Sequence, residues 1–237
     1  MSDIINQIID LLRAVEPLVV TAIPIVFGIW LKTKTKILEK KLEYSQEIAK
    51  KKEGELTKWR HDESLKIASK LKEVCNYYCD TCHVHTAYIQ FENGTLATSK
   101  LSNMFFSCAA EDNRYSTMPK LVQLLQRVPY VQMQDWYEHI SNSEYNIVYI
   151  YDKQYIDELF YNQVGVRSML AGLVKNSSGT IVGVGIFIFD EVKTKEELNT
   201  YNTSMEKFIS SLETIFLSYG INVKNKRKEL NMLEDDE

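Results

Sequence analysis

The sequence predicts an α+β protein: an N-terminal transmembrane helix and a long helical stalk, then an antiparallel sheet with flanking helices. Three observations carry this. Residues 17–31 hold no charged side chain and stop abruptly at Lys32, Lys34 and Lys36; residues 34–78 are dense in lysine and glutamate and lack proline; beyond residue 83, short runs of period two alternate with helical patterns. The boundaries drawn are 1–16 for an amphipathic lead-in, 17–33 for the span, 34–78 for the stalk, 79–220 for the α/β domain and 221–237 for a charged, disordered tail.

In the lead-in, Ile4, Ile5, Ile8, Ile9, Leu12 and Val15 recur at helical spacing, with Asn6, Gln7, Asp10 and Arg13 opposite, a pattern fit for the headgroup layer of a bilayer. The fifteen residues from Pro17 to Leu31 reach about 22 Å as a helix, against a hydrocarbon core of roughly 30 Å. Ala14, Val15 and the stems of the flanking lysines supply the rest. Pro17 suits a first helical turn, and Pro24 predicts a kink. A cleaved secretory signal would need a positive leading region, whereas Asp3, Asp10, Arg13 and Glu16 precede the run. A buried core helix is the other alternative for a run this short. Only Arg13 flanks the run on one side, while Lys32, Lys34, Lys36, Lys40 and Lys41 flank it on the other, so a single-pass protein would keep its domain in the cytoplasm rather than the periplasm. The partner implied is a lipid bilayer; a net charge of −4 weighs against nucleic acid, and four cysteines are too few for a disulfide scaffold.

The stalk carries Leu38, Leu42, Ala49, Leu56, Trp59, Ile67, Leu71, Val74 and Tyr78 at alternating three and four spacing, interrupted by Ser45, Lys52 and Glu63. Two readings stand: a coiled coil that self-associates, or a solvated single helix held by neighbouring Glu and Lys pairs.

Residues 83–91 alternate, with His83, His85, Ala87, Ile89 and Phe91 on one face, and a turn over residues 92–95 leads to a second strand from Leu96. A helix follows Pro119 over residues 120–128, where Leu121, Leu124, Leu125 and Val128 share a face. Residues 146–151 read as a strand and 154–163 as a helix closing at Gly165. Residues 167–175 and 180–190 form a hairpin about the turn Asn176-Ser177-Ser178-Gly179. A closing helix over 195–219 stripes Leu198, Tyr201, Met205, Phe208, Ile209, Leu212, Ile215 and Phe216 on one face and ends at Gly220.

This order of elements, with Gly179-Thr180-Ile181-Val182-Gly183-Val184-Gly185 in the late hairpin, resembles a GAF domain, kin to PAS folds, over about residues 70–219. The resemblance implies a central antiparallel sheet with helices on one side and a cavity on the other. It also implies regulatory binding of a small molecule or protein partner, or dimerisation through terminal helices, and it does not imply catalysis. In architecture alone the chain is similar to holins of the T-even phage type, with one span and a globular domain that faces the periplasm and receives an anti-holin. That similarity implies a membrane-permeabilising protein regulated through its domain.

Candidate sites are few. Cys75, Cys79, Cys82 and His83, with His85 close by, have ligand types suited to zinc, and Cys79-Asp80-Thr81-Cys82-His83 matches the haem-attachment spacing. Idle buried thiols are the bland alternative, and no cofactor is expected. Tyr130, Trp136, Tyr149 and Tyr151 are candidates to line a pocket, or else plain core. Gly183 and Gly185 lie inside an apolar strand, where they admit close backbone approach rather than form a nucleotide loop. His61, His83, His85 and His139 lack a serine or aspartate partner at recognisable spacing, so an enzyme is not expected.

Overall fold

The computed structural model describes residues 2–92, 104–143, 146–150 and 156–231, and of residues 2–26 the helical backbone only. The chain divides into two units, Met1–Thr57 and Lys58–Glu237.

One helix, α1 (Ser2–Cys82), supplies all of the first unit's described structure. Lead-in, span and stalk are therefore a single backbone element, and the helix continues through Pro17, Pro24 and Gly54. Lysines and glutamates, strong helix formers, flank Gly54 on both sides. Among the described residues no helix is long and apolar enough to cross a membrane. Residues 17–26 of the predicted span lie outside the described side chains. In what is described, Phe27 and Trp30 stack at 5.8 Å, Lys34 Nζ sits 4.6 Å over the Trp30 ring, and Phe27, Ile29, Trp30, Leu38 and Leu42 are exposed.

The second unit is a mixed fold of helices on a six-stranded antiparallel sheet of order β3-β2-β1-β6-β5-β4. Its strands are β1 (His85–Glu92), β2 (Phe105–Asp112), β3 (Val128–Pro129), β4 (Ile147–Ile150), β5 (Ser168–Lys175) and β6 (Ile181–Phe189). Shorter elements sit between them: α2 (Leu121–Leu124), a 3₁₀ turn (Tyr130–Gln132), α3 (Gln134–Ser141) and a π-helix (Leu159–Val164). The chain then closes with α4 (Lys195–Asn199) and α5 (Asn202–Glu229).

Both faces of the sheet are covered, and β1 keeps the alternation read from sequence, with Ala87, Ile89 and Phe91 on one face and Thr86 and Tyr88 buried on the other, where Gln90 stays exposed. One face packs Ala87, Ile89 and Phe91 with Trp136, Tyr137 and Phe160. The other packs Tyr88, Leu170 and Phe187 with α5 and with Leu71, Cys75 and Tyr78 of α1. The unit therefore begins at Lys58 rather than at residue 79. Ile67, Leu71, Val74 and Tyr78, read from sequence as part of a self-association seam, are instead used inside the chain. Trp59 stacks on Tyr219 and Glu63 accepts from Asn222 at 3.1 Å, so α5 runs back antiparallel to α1.

The hairpin forms as the sequence predicts. Asn176 Oδ1 accepts from the Ser178 and Thr180 amides at 3.0 Å, and Gly179 takes φ +80°, a value that suits glycine. Gly183 and Gly185 do admit close approach: a Cβ at Gly185 would lie 2.6 Å from Ile209 Cδ1 of α5. Gly165 caps the π-helix at φ +88°. The residues of the closing stripe also all join the α5-side core.

Four expectations are corrected. The second strand starts at Phe105, and Leu96 lies outside the described residues. The helix expected to reach residue 128 is one turn long: it ends at Leu124, the Leu125 carbonyl accepts the Cys108 amide of β2, Arg127 takes φ +54°, and Val128, restricted by Pro129, pairs in β3. His83 is in a turn at φ +52°, not in the first strand. The closing helix runs past Gly220 to Glu229, so residues 221–229 are not a disordered tail. Gly220 is a spacing residue there, since a Cβ would strike Ser177 in the hairpin turn. Lys226, Arg227 and Lys228 in the last turn complement the helix dipole.

Candidate functional site

The junction between α1 and β1 concentrates the polar chemistry of the domain. Cys75 and Cys79, four apart, face inward on one side of α1 and are fully buried. Cys82 is half-buried at the helix end, and the His83 ring meets Tyr115 edge-on at 4.6 Å. The four residues thus do not converge; among the described residues no group of three or more His, Cys, Asp or Glu is placed to hold a metal ion. Burial pushes the Cys75 thiol well up and Cys79 up to about 11, the latter helped by the Asp112 carboxylate. Both stay protonated at neutral pH, a poor state for a nucleophile or a ligand.

Two turns of chain beyond, a second constellation forms that sequence reasoning missed. His85, on β1, has a fully buried side chain with Nε2 3.2 Å from Glu111 Oε2 of β2. The same carboxylate accepts the Leu121 amide at 2.7 Å and the Val122 amide at 3.1 Å, tying the start of α2 to the sheet. Burial works to raise the Glu111 pKa, but His85 and the two amides outweigh it and hold the carboxyl below its usual range. His85 Nδ1 has no hydrogen-bond partner, so the network places the ring proton on Nε2.

Asp112 does the same work on the α1 side. Arg114 reaches Asp112 at 2.7 Å, Asp80 at 3.3 Å and the Asn76 carbonyl at 3.2 Å. Burial alone would raise Asp112, yet the Arg114 hydrogen bonds and charge keep it low. Thr86 Oγ1 donates to the Cys75 carbonyl at 2.7 Å, and Tyr115 donates to Asp80 at 3.0 Å. The adjacent acids closing the apolar stretch 105–110 were the sequence signal for this network. Beside it opens a cleft of about 710 Å³ between α1 and the β2–α2 segment, with Lys72, Lys120 and Arg114 on its rim.

The aromatic candidates separate. Tyr130 and Trp136 lie together in the core on the α3 face, where both rings pack on Phe106, and Trp136 Nε1 donates to Met169 Sδ at 3.0 Å. Tyr149 packs on the opposite face and donates to Asn199 at 3.0 Å. Tyr151 lies outside the described residues. Tyr137, fully enclosed beside Tyr130, keeps a hydroxyl with no partner.

No family model matches the chain. No curated protein matches it either. Among solved structures it is similar to the GAF domain of PixJ from Thermosynechococcus elongatus in its blue-light absorbing form, at 12% identity over 71% of this chain and 91% of that one, with a TM-score of 0.44. It is also similar to the phycocyanobilin-bound GAF domain of a cyanobacterial phytochrome, at 12% identity over 75% and 96% of the two chains and a TM-score of 0.47. A third is the GAF domain of a two-component sensor histidine kinase from Bacillus halodurans, at 13% identity over 61% and 95%, with a TM-score of 0.39. No ligand, activity or partner passes from these structures to this chain.

Proposed function

We propose that this chain is a membrane-anchored, non-catalytic regulatory or interaction module whose GAF-like domain takes a small ligand or a protein partner. It is a single-pass protein with the domain on the cytoplasmic side. One observation carries the reading: α1 passes into the first strand within two residues, and its last turns are part of the core beneath that strand. Displacement of the sheet is thereby coupled to the helix that leads away from it. Two inputs support the non-catalytic part. The junction thiols are held protonated, and the Glu111 and Asp112 carboxylates are spent on fixed donors, so each group is committed to position rather than to proton transfer. The anchor is supported by the uncharged run, and by the Phe27 and Trp30 pair with Lys34 above it where that run meets the lysines.

Fractionation of lysed cells tests the anchor: the full chain sediments with membranes and is released by detergent. A chain that stays in the supernatant after ultracentrifugation refutes it. Alkaline phosphatase fused after Glu237 tests orientation and is expected to be inactive; an active fusion places the domain outside, the geometry of the holin-like alternative.

A further inference from the structure

The outer edge of β2 is only partly covered. Phe105 and Phe106 pair with β3, and the Cys108 amide donates to the Leu125 carbonyl at 2.9 Å. From Ala109 to Asp112, among the described residues, β2 is paired with β1 alone. This stretch of open edge is the floor of the 710 Å³ cleft, with Ala68 and Ser69 of α1 forming one wall and Lys120 and Val122 the other.

Two features fit the cleft to an extended chain. Its walls and floor carry small side chains, Ala68, Ser69, Ala109 and Ala110, which leave the strand's backbone approachable. An added strand needs about 4.8 Å of lateral room and about 3.3 Å per residue, so a segment of four residues occupies roughly 13 Å of edge. The second feature is charge. Glu111 and Asp112 are turned to their own donors, with side chains 6% and 8% exposed. Lys72 and Lys120 stand exposed on the solvent side, while Arg114 is held by Asp112 and Asp80. Among the described residues these two lysines are the cations of the cleft outside an ion pair, on a chain of net charge −4.

We propose that the cleft binds an acidic, extended peptide segment of a partner protein, which adds to β2 as a strand and sets its carboxylates against Lys72 and Lys120. This deepens the interaction-module reading above, on which it rests, by naming the class of partner.

Fluorescence anisotropy of the full chain in detergent tests it, with a fluorescein-labelled Glu-Val-Glu-Val-Glu-Val peptide as probe. Saturation is expected below about 100 μM, and the Lys-Val counterpart binds at least about tenfold more weakly. A probe of unchanged charge, N-methylated at alternate residues, loses binding because it cannot pair with the edge. Ser69→Trp, which fills the cleft from an exposed helix position, and the double variant K72E/K120E each weaken binding about tenfold with unchanged circular dichroism. No saturation by about 1 mM overturns the proposal. Equal binding of the N-methylated probe, or indifference to both variants, overturns it as well. None of these outcomes alters where the chain sediments, so failure here and failure of the anchored-module reading are told apart.

Discussion

Replacing Glu111 by alanine is the sharpest probe of the junction. The substitution strands three donors, but they are not equal. Leu121 is fully buried and the His85 side chain has no exposure, so the Leu121 amide and His85 Nε2 both lose their acceptor. Val122 is 37% exposed, and its amide can turn to solvent. Two orphaned buried donors cost about 1–3 kcal/mol each, and removal of a buried carboxylate returns part of that, for a net loss of about 3 kcal/mol. Urea unfolding followed by fluorescence of the buried Trp136 measures it, with Glu111→Gln as the control that keeps one acceptor oxygen and loses about 1–2 kcal/mol. The pH dependence gives a second reading. The folded Glu111 pKa is depressed, so its contribution is fully present above the unfolded value, near 4.5, and is lost as pH falls through the lower folded value. The gap between the native chain and the glutamine variant should therefore narrow below about pH 4. A loss under about 1 kcal/mol for the alanine variant, or a gap that does not change with pH, would refute the account of Glu111 as the tie between α2 and the sheet.

Other outcomes follow from single contacts. Tyr137→Phe removes a buried hydroxyl that has no partner and should stabilise the domain by about 1 kcal/mol, read as a higher urea midpoint. Asp157 accepts the Trp136 amide at 3.0 Å, yet burial first and Asp135 second push its carboxyl up to about 6. Its folded pKa exceeds the unfolded one, so stability falls as pH rises from about 4 to 6; Asp157→Asn should abolish that slope and add about 1 kcal/mol at pH 7. With a thiol-specific chromogenic reagent, Cys82 should react in the native chain, while Cys75, Cys79 and Cys108 react only after denaturation. Gly183→Ala drives a Cβ into the Ile89 carbonyl oxygen of the neighbouring strand, at a cost of about 3 kcal/mol or more by thermal unfolding.

What could be read from the sequence was what has a period. The hairpin of β5 and β6 and the stripe of α5 were legible because apolar spacing and the Asn176 to Gly179 turn are local signals. The shortened α2 was also legible in principle, since Pro129 restricts Val128, but the apolar stripe of residues 121–128 masked it. The extension of α5 past Gly220 was not, because the reason for that glycine lies in Ser177, brought near only by the fold. The same holds for the site. His85 and Glu111 are adjacent only through the β1–β2 register, in which Thr86 faces Asp112 and Ala87 faces Glu111. Cysteines one turn apart could be seen from spacing, which left a ligand set and idle buried thiols both open; their burial, which keeps them protonated, depends on the packing of α1 against Phe187 and Phe208 through Tyr78.

Under the regulatory reading proposed above, the packing of α1 limits which motions of the helix a signal could use. Leu71, Cys75 and Tyr78 are buried, the Cys75 carbonyl is held by Thr86, and the Asn76 carbonyl is held by Arg114. Turning the helix by one position, about 100°, would bring those side chains to solvent and break both bonds. Exposing a leucine and a tyrosine costs about 1.5–3 kcal/mol each, and the lost bonds add about 1 kcal/mol apiece, so the turned state lies several kcal/mol above the packed one. A ligand must discriminate between two states by the full difference in their populations, and moving such an equilibrium from one side to the other demands about 5.5 kcal/mol of differential binding. A shift of α1 along or slightly across the sheet keeps the same side chains buried and needs far less. Coupling through this junction therefore favours sliding or tilting of the helix over rotation, and the Asp80, Asp112 and Arg114 ties at its last turn fix the point about which it moves.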